Sequence, residues 1–195
     1  MPHVREFHLA DFLLSNLAEV YRWQQGEAEA HDWDAYFRAV LELESPELGF
    51  SADLQRAAAS RKSLLAACVS QLRLCDLNRS HPLGDGVQYD LVTAFYCVET
   101  AGGSPYDWPW LLNNLCSLLT PGGTLFLALL RNQNFYPSGQ GYLPAACLDE
   151  TELQVWLASS PLDQTNAQVE VIRLSQWEDT ECSGILLLDA PRPAK

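Results

Sequence analysis

The sequence is short of positive charge and of long apolar segments. Its 12 lysine and arginine residues face 25 aspartate and glutamate residues, which gives a formal net charge of −13. Such a chain repels a phosphate backbone, so we expect no nucleic-acid partner. The acidic field suits a cationic small molecule, and acidity that only keeps the protein soluble is the open alternative.

A signal-peptide core and a membrane-spanning run are also absent. No apolar run is long enough to cross a bilayer, and the first six residues are not those of a secretory leader. We therefore expect a cytoplasmic protein with no membrane partner. The 195 residues suffice for one core, so we predict a single domain over residues 1–195. The sequence leaves the oligomeric state open, and a monomer is favoured.

Metal and dinucleotide motifs are missing as well. None of the six cysteines is spaced as C-x-x-C, and the four histidines do not supply the missing ligand spacing. We expect buried free thiols and no metal. The G-x-G-x-x-G fingerprint is absent, which argues against an oxidoreductase that binds a dinucleotide.

Apolar periodicity predicts strands that alternate with helices. The predicted strands cover residues 5–10, 71–75, 89–95, 124–130, 169–174 and 185–188, and the predicted helices cover 13–21, 33–42, 51–69, 108–119 and 149–157. This order predicts a mostly parallel sheet covered on both faces, with 89–95 as a buried central strand. The last two strands are too close together for a crossover helix, so they should form an antiparallel pair at one edge.

Three local signals mark the ends of helices. Ser51 is a candidate N-cap of the third helix, and Asp149 with Glu152 forms a candidate capping pair for the fifth. The Thr-Pro-Gly-Gly segment at 120–123 predicts the end of the fourth helix and a turn before the next strand.

Acidic residues follow two of the predicted strands. Asp11 ends the first strand, Asp76 follows the second, and residues 95–99 follow the third. Ligands of open α/β sheets bind outside the carboxyl ends of the strands, where one carboxylate can accept both hydroxyl hydrogens of a ribose. A second acid can accept from an exocyclic amine. An aspartate at a strand end fits a helix N-cap or a loop acid equally well.

Several segments occur in an order typical of one family. They are DFLLSN at 11–16, CDL at 75–77 with HPLG at 81–84, DLVTAFYCVE at 90–99, LLTPGG at 118–123 and Asp32-Trp33. This ordered set resembles the nicotinamide, phenylethanolamine and indolethylamine N-methyltransferase family over nearly the whole chain. The resemblance implies an α/β fold, the Rossmann-like sheet of class I methyltransferases.

The same resemblance implies a cofactor, a substrate and the residues that bind them. The cofactor is S-adenosylmethionine and the substrate is a small-molecule amine. The implied cofactor-binding residues are Asp11 and Asn16 at the ribose, Asp76 and the backbone of Leu77 at the adenine, and Phe95 and Tyr136 beside the cofactor. The implied catalytic residues are Glu99 and Glu181, which face the amine, and Tyr96, which packs on the acceptor. Gln133 stands where the phenylethanolamine branch has an acid, so two acids remain rather than three.

The residue types alone leave other interpretations open. Tyr96 fits a core position as well as a site, and Glu181 in a polar loop fits simple exposure to solvent. The segment Trp108-Pro109-Trp110 raises an interaction module as another class, although such aromatic residues are usually core.

The family resemblance also implies a strand and a Gly-rich turn ahead of Asp11. Glycine is required there because the backbone approaches the methionine part of the cofactor closely. Only ten residues precede Asp11. We therefore expect a truncated domain whose sheet lacks the first strand, and we predict an N-methyltransferase acting on a small amine. The alternative is a non-catalytic or truncated methyltransferase-like domain with weak or no cofactor binding.

Overall fold

The computed structural model describes residues 4, 6–46, 52–138, 141–174 and 182–194. The helices in these ranges are α1 (Leu14–Gln25), α2 (Asp34–Glu44), α3 (Ala52–Cys68), α4 (Trp108–Ser117) and α5 (Glu150–Ser159). The strands are β1 (Phe7–Asp11), β2 (Val69–Leu74), β3 (Tyr89–Phe95), β4 (Leu119–Arg131), β5 (Phe135–Ser138), β6 (Gly141–Pro144), β7 (Gln168–Arg173) and β8 (Gly184–Pro191). The chain divides into two compact units, Met1–Cys75 and Asp76–Lys195. The single domain stays a prediction.

The first unit is built on the parallel pair of β1 and β2. Helices α1, α2 and α3 connect these two strands, as a parallel pair requires a long crossover. A small apolar cluster holds the helices together: Leu41 of α2 packs with Leu54 and Ala58 of α3, and Phe37 lies against them. The fold of this unit therefore places Asp11 at the carboxyl end of β1.

The second unit contains a four-stranded sheet in the order β3-β4-β8-β7. Strand β3 runs parallel to β4, whereas β8 runs antiparallel to both β4 and β7. Leu125, Leu127 and Leu129 of β4 are fully buried, and so are Leu186 and Leu188 of β8. The α/β class and the antiparallel pair at one edge are confirmed. The described strands form three separate sheets rather than one.

The position of β3 corrects one prediction. This strand has the bounds predicted from the sequence, but it lies at one end of the four-stranded order. Val92 and Ala94 are buried on one face, while Leu91 and Phe95 on the other face are 47% and 51% exposed. The prediction of a buried central strand is wrong, because strand order depends on pairings that a single apolar run does not encode.

The Thr-Pro-Gly-Gly segment at 120–123 corrects a second prediction. Helix α4 already ends at Ser117, and residues 120–123 form the start of β4 rather than a separate turn. A Cβ atom on Gly123 would lie 2.9 Å from the carbonyl oxygen of Tyr89, so the glycine permits close approach of β3. The register between the two strands shifts at this point, between Tyr89 and Leu91. Gly123 therefore serves the pairing of β3 with β4.

The predicted caps have different outcomes. Asp149 Oδ1 accepts hydrogen bonds from the amides of Thr151 and Glu152 at 2.8 and 2.9 Å, and Glu152 Oε2 accepts from the Asp149 amide at 3.2 Å. This reciprocal capping box is confirmed. Ser51 lies outside the described residues. No helix in the described ranges is both long enough and apolar enough to span a membrane.

Candidate functional site

Asp11 ends β1, and its carboxylate accepts hydrogen bonds at the start of α1. Oδ1 accepts from the amide of Leu13 at 2.7 Å, and Oδ2 accepts from Asn16 Nδ2 at 3.0 Å. The N-cap residue Leu13 makes no side-chain cap of its own, so Asp11 satisfies this helix start from two residues upstream. The two residues predicted at the ribose are therefore in direct contact. A carboxylate has about four acceptor positions, so capacity for a ligand hydroxyl remains.

Asp76 follows β2 and organises a tight loop. Its Oδ1 accepts from the amide of Asn78 at 3.0 Å, and its Oδ2 accepts from Arg79 Nε at 3.1 Å. The Asp76 amide donates to the carbonyl of Pro82 at 2.9 Å, which joins this aspartate to the predicted Pro-Leu-Gly turn. Both carboxylate oxygens thus have local partners, as a loop acid would. Binding of adenine by Asp76 stays a prediction.

The other residues predicted beside the cofactor lie in the second unit. Leu77 is buried, and its carbonyl accepts from Asn114 Nδ2 at 2.7 Å. Phe95 ends β3 and packs edge-to-face on Phe126, with ring centroids 5.8 Å apart. Tyr136 lies on β5 with 43% of its surface exposed. Phe95 and Tyr136 therefore expose aromatic surface, whereas the carbonyl of Leu77 is already paired with Asn114. The binding roles of all three residues stay predictions.

Glu99 is a buried acid in the turn that follows β3, with only 3% of its surface exposed. Its Oε1 accepts from the amide of Leu130 at 2.7 Å. Its Oε2 has no hydrogen-bond partner in the part of the chain that the structure describes. Burial raises the pKa of Glu99, and the hydrogen bond from Leu130 offsets part of this effect. A buried polar atom without a partner costs about 1–3 kcal/mol.

Tyr96 has a backbone conformation that is uncommon for a residue with a side chain. Its φ is 54°, in the left-handed region, which costs on the order of 1–3 kcal/mol and is often found at functional sites. Its amide donates to the carbonyl of Ala128 at 2.8 Å. The side chain is 42% exposed, so the core interpretation is wrong. Partial burial raises the pKa of Tyr96, and the charges of Glu99 and Cys182 add to this.

Gln133 is a second buried polar residue, with 2% of its surface exposed. It follows β4, and its Nε2 donates to the carbonyl of Phe135. Its Oε1 has no partner among the described residues. In the sequence, Gln133 stands out only because the phenylethanolamine branch has an acid at this position. The structure adds that its side-chain amide is buried and therefore requires hydrogen-bond partners. Glu181, the second predicted amine-facing acid, lies outside the described residues.

One cavity of the second unit lies elsewhere. It measures about 430 Å³ and is bordered by α4 and α5, with Trp108, Val155 and Trp156 in its wall. No predicted site residue lines it within the described ranges. Trp110 next to it is 51% exposed, so the expectation of a core position is wrong for this tryptophan. Binding of an amine at Glu99 stays a prediction.

Comparison with known proteins shows which family the chain belongs to. The model of the NNMT/PNMT/TEMT family matches residues 2–190. The chain belongs to this family. Indolethylamine N-methyltransferase of Oryctolagus cuniculus is 30% identical over 152 residues, which are 77% of this chain and 55% of that protein. Phenylethanolamine N-methyltransferase of Bos taurus is 25% identical over 156 residues, or 78% of this chain and 52% of that protein.

The match to these family members covers only part of their length. The chain spans about half of each of the two relatives. Among solved structures, 1,6-didemethyltoxoflavin-N1-methyltransferase of Burkholderia thailandensis is 12% identical and covers 92% of this chain and 89% of its own, with a TM-score of 0.48. A similarity of that size says nothing about the site. The candidate site residues therefore depend on the family and on the contacts described above.

Proposed function

We propose that this chain acts as, or within, an S-adenosylmethionine-dependent N-methyltransferase that modifies a small amine. The observation that carries the proposal is the buried carboxyl of Glu99 beside Tyr96, just beyond the carboxyl end of a parallel strand. Ligands of α/β sheets bind at such strand ends. The relatives in the family are named for methyl transfer to amine nitrogens, which fits an acid that can hold a cation.

The proposed cofactor residues are those that the sequence predicts. Asp11 and Asn16 would bind the ribose, since a carboxylate and an amide 3.0 Å apart suit a pair of hydroxyl groups. Asp76 and the backbone of Leu77 would bind the adenine. S-adenosylmethionine, when bound, supplies a methyl group on a positively charged sulfur. Phe95 and Tyr136 would flank the cofactor with aromatic surface.

Glu99 would act on the amine. The nitrogen must lose a proton to attack, and a carboxylate shielded from water can first pair with the ammonium and then accept that proton. Its raised pKa makes Glu99 a better base than an exposed carboxylate. Tyr96 would position the acceptor, and Glu181 would be the second acid near the nitrogen. Methyl transfer itself requires orientation more than activation.

Binding of S-adenosylhomocysteine tests the cofactor part of the proposal. Calorimetry should show saturable binding to the 195-residue chain, and Asp11→Ala should weaken it about tenfold, the effect of one hydrogen bond to a charged group. Asp189→Ala, at an exposed position of β8, is the control and should bind as the unmodified chain does. Absence of saturable binding would favour the non-catalytic alternative.

Turnover tests the role of Glu99. Methyl transfer to benzylamine, followed by mass spectrometry, should fall about a hundredfold in Glu99→Gln, a typical loss when a general base is removed. The affinity for S-adenosylhomocysteine should not change. Equal turnover of the variant and the unmodified protein would remove Glu99 from the mechanism.

A further inference from the structure

The cavity between α4 and α5 has a wall made mainly of apolar and aromatic side chains. Trp108 and Pro109 line it from the first turn of α4, and Val155 and Trp156 line it from α5. None of these four side chains carries a hydrogen-bond acceptor. The volume of about 430 Å³ lies in the range of cavities that take small molecules. Because Val155 is 68% exposed, the cavity opens to solvent and a ligand can enter it directly.

Trp156 is held in place before any ligand arrives. It is buried, and its Nε1 donates to Asn113 Oδ1 at 3.2 Å, which ties α5 to α4. The polar atom of this indole is therefore already paired, so the ring offers a ligand only its π surface and its carbon edge. A wall that is fixed in advance loses little conformational entropy when a ligand binds.

The wall carries one negative charge and, within the described residues, no positive one. Glu152 is the acid of this wall. Its Oε2 accepts from the amide of Asp149 at 3.2 Å in the capping box, and the structure describes no lysine or arginine paired with it. Its neighbour Glu150, by contrast, is paired with Arg131 at 2.7 and 3.0 Å. Since the whole chain has a net charge of −13, this wall attracts a cation.

We propose that this cavity binds a small quaternary ammonium ion. The faces of aromatic rings attract cations, and tryptophan attracts them most strongly. A cation with N–H groups would lose hydrogen bonds to water against a wall with few acceptors, whereas a quaternary ammonium has no such bonds to lose. Its methyl groups would pack on the apolar carbons, and Glu152 would supply the opposite charge. The inference goes beyond the proposed methyl transfer, because no residue proposed for the cofactor or the amine lines the cavity in the described ranges.

Three small ligands test the inference at constant ionic strength: choline, 3,3-dimethyl-1-butanol and ethanolamine. The second has the shape of choline without its charge, and the third has the charge but carries N–H bonds. Each is titrated into the ¹⁵N-labelled chain, and the indole N–H resonances of Trp108 and Trp156 report binding. Choline should bind with a dissociation constant on the order of 1 mM, and the other two should bind about tenfold more weakly. Equal affinity of choline and either analogue, or no saturable shift with choline, overturns the inference.

The variant Trp108→Leu removes an aromatic face and keeps apolar bulk. It should weaken the binding of choline about tenfold and change that of 3,3-dimethyl-1-butanol by less than about threefold. Trp110→Leu is the matched control, because Trp110 is exposed on the same helix and does not line the cavity. This control should bind choline as the unmodified chain does. Equal effects of the two variants on choline binding overturn the inference.

The variant Glu152→Gln decides the question if Trp108→Leu does not fold. Glutamine also closes a capping box, so this change removes the charge and keeps the start of α5. It should weaken choline binding about threefold, as for an exposed ion pair, and Glu170→Gln on β7 should have no effect. Unchanged affinity in Glu152→Gln overturns the inference. If the Trp108 indole resonance instead shifts with protein concentration as a dimer forms in sedimentation velocity, a second copy fills the cavity, and the inference is overturned.

Discussion

Burial raises the pKa of Glu99, and ionisation of this carboxyl therefore acts against the folded state. Below the ordinary pKa of 4.5 the carboxyl is protonated in both states and has no effect. As the pH rises from there towards the folded-state pKa, the unfolded state loses its proton first, so the free energy of unfolding falls. Urea unfolding should show that Glu99→Gln lacks this decline. Parallel pH profiles for the two proteins would contradict burial of the carboxyl.

Glu150 should show the opposite pH dependence. Its hydrogen bonds with Arg131, at 2.7 and 3.0 Å, lower the pKa of Glu150 to about 2. Its contribution to stability is fully present above pH 4.5 and is lost as the pH falls towards 2. The urea midpoint of Glu150→Gln should therefore lie below that of the unmodified chain at pH 7 and approach it at pH 3. Glu170→Gln, exposed on β7, is the control and should follow the unmodified chain at both pH values.

At the scale of elements, the start of α5 depends on Asp149. Replacing a capping aspartate by alanine costs about 1 kcal/mol, because two helix amides lose their acceptor. Asp149→Ala should lower the free energy of unfolding by about this amount in urea titration. Asp189→Ala is the control, since it replaces the same residue type at an exposed position. It should change the free energy of unfolding by less than about 0.5 kcal/mol. A similar loss in both variants would contradict the capping box.

The pairing of β7 with β8 depends on a glycine. A Cβ atom on Gly184 would lie 2.4 Å from the carbonyl oxygen of Ile172, which belongs to the backbone of β7 and cannot turn aside. Gly184→Ala should destabilise the protein by about 1–3 kcal/mol in urea titration. Gly86→Ala is the control, since no atom lies within 4 Å of its added carbon. Equal stability of the two variants would show that β7 can shift away.

At the scale of the whole molecule, the two units differ in the size of their apolar cores. Among the described residues, the helix cluster of the first unit contains three buried residues, Leu41, Leu54 and Ala58, whereas β4 and β8 carry fully buried leucines along most of their length. Local stability follows buried apolar contact. Hydrogen exchange should therefore show slower exchange for amides of β4 and β8 than for those of α2 and α3. Uniform protection across both units would mean that they unfold together.

Features that depend on near neighbours in the sequence could be predicted. The bounds of β3 and the capping box of α5 agree with the sequence, because alternation and capping act over a few residues. The hairpin of β5 and β6 was not predicted, since residues 135–144 show no clear alternation. The contact of Asp11 with Asn16 follows from their spacing at a helix start.

The sequence by itself determined the α/β class, the family and the order of candidate residues, because these depend on periodicity and on motifs read along the chain. Only the tertiary structure decided that β3 lies at the end of its sheet, that Tyr96 is exposed and that Gln133 is buried. Burial and strand order depend on which distant segments pack together. Only the structure shows that Glu99 and Gln133 each keep one buried oxygen without a hydrogen-bond partner among the described residues.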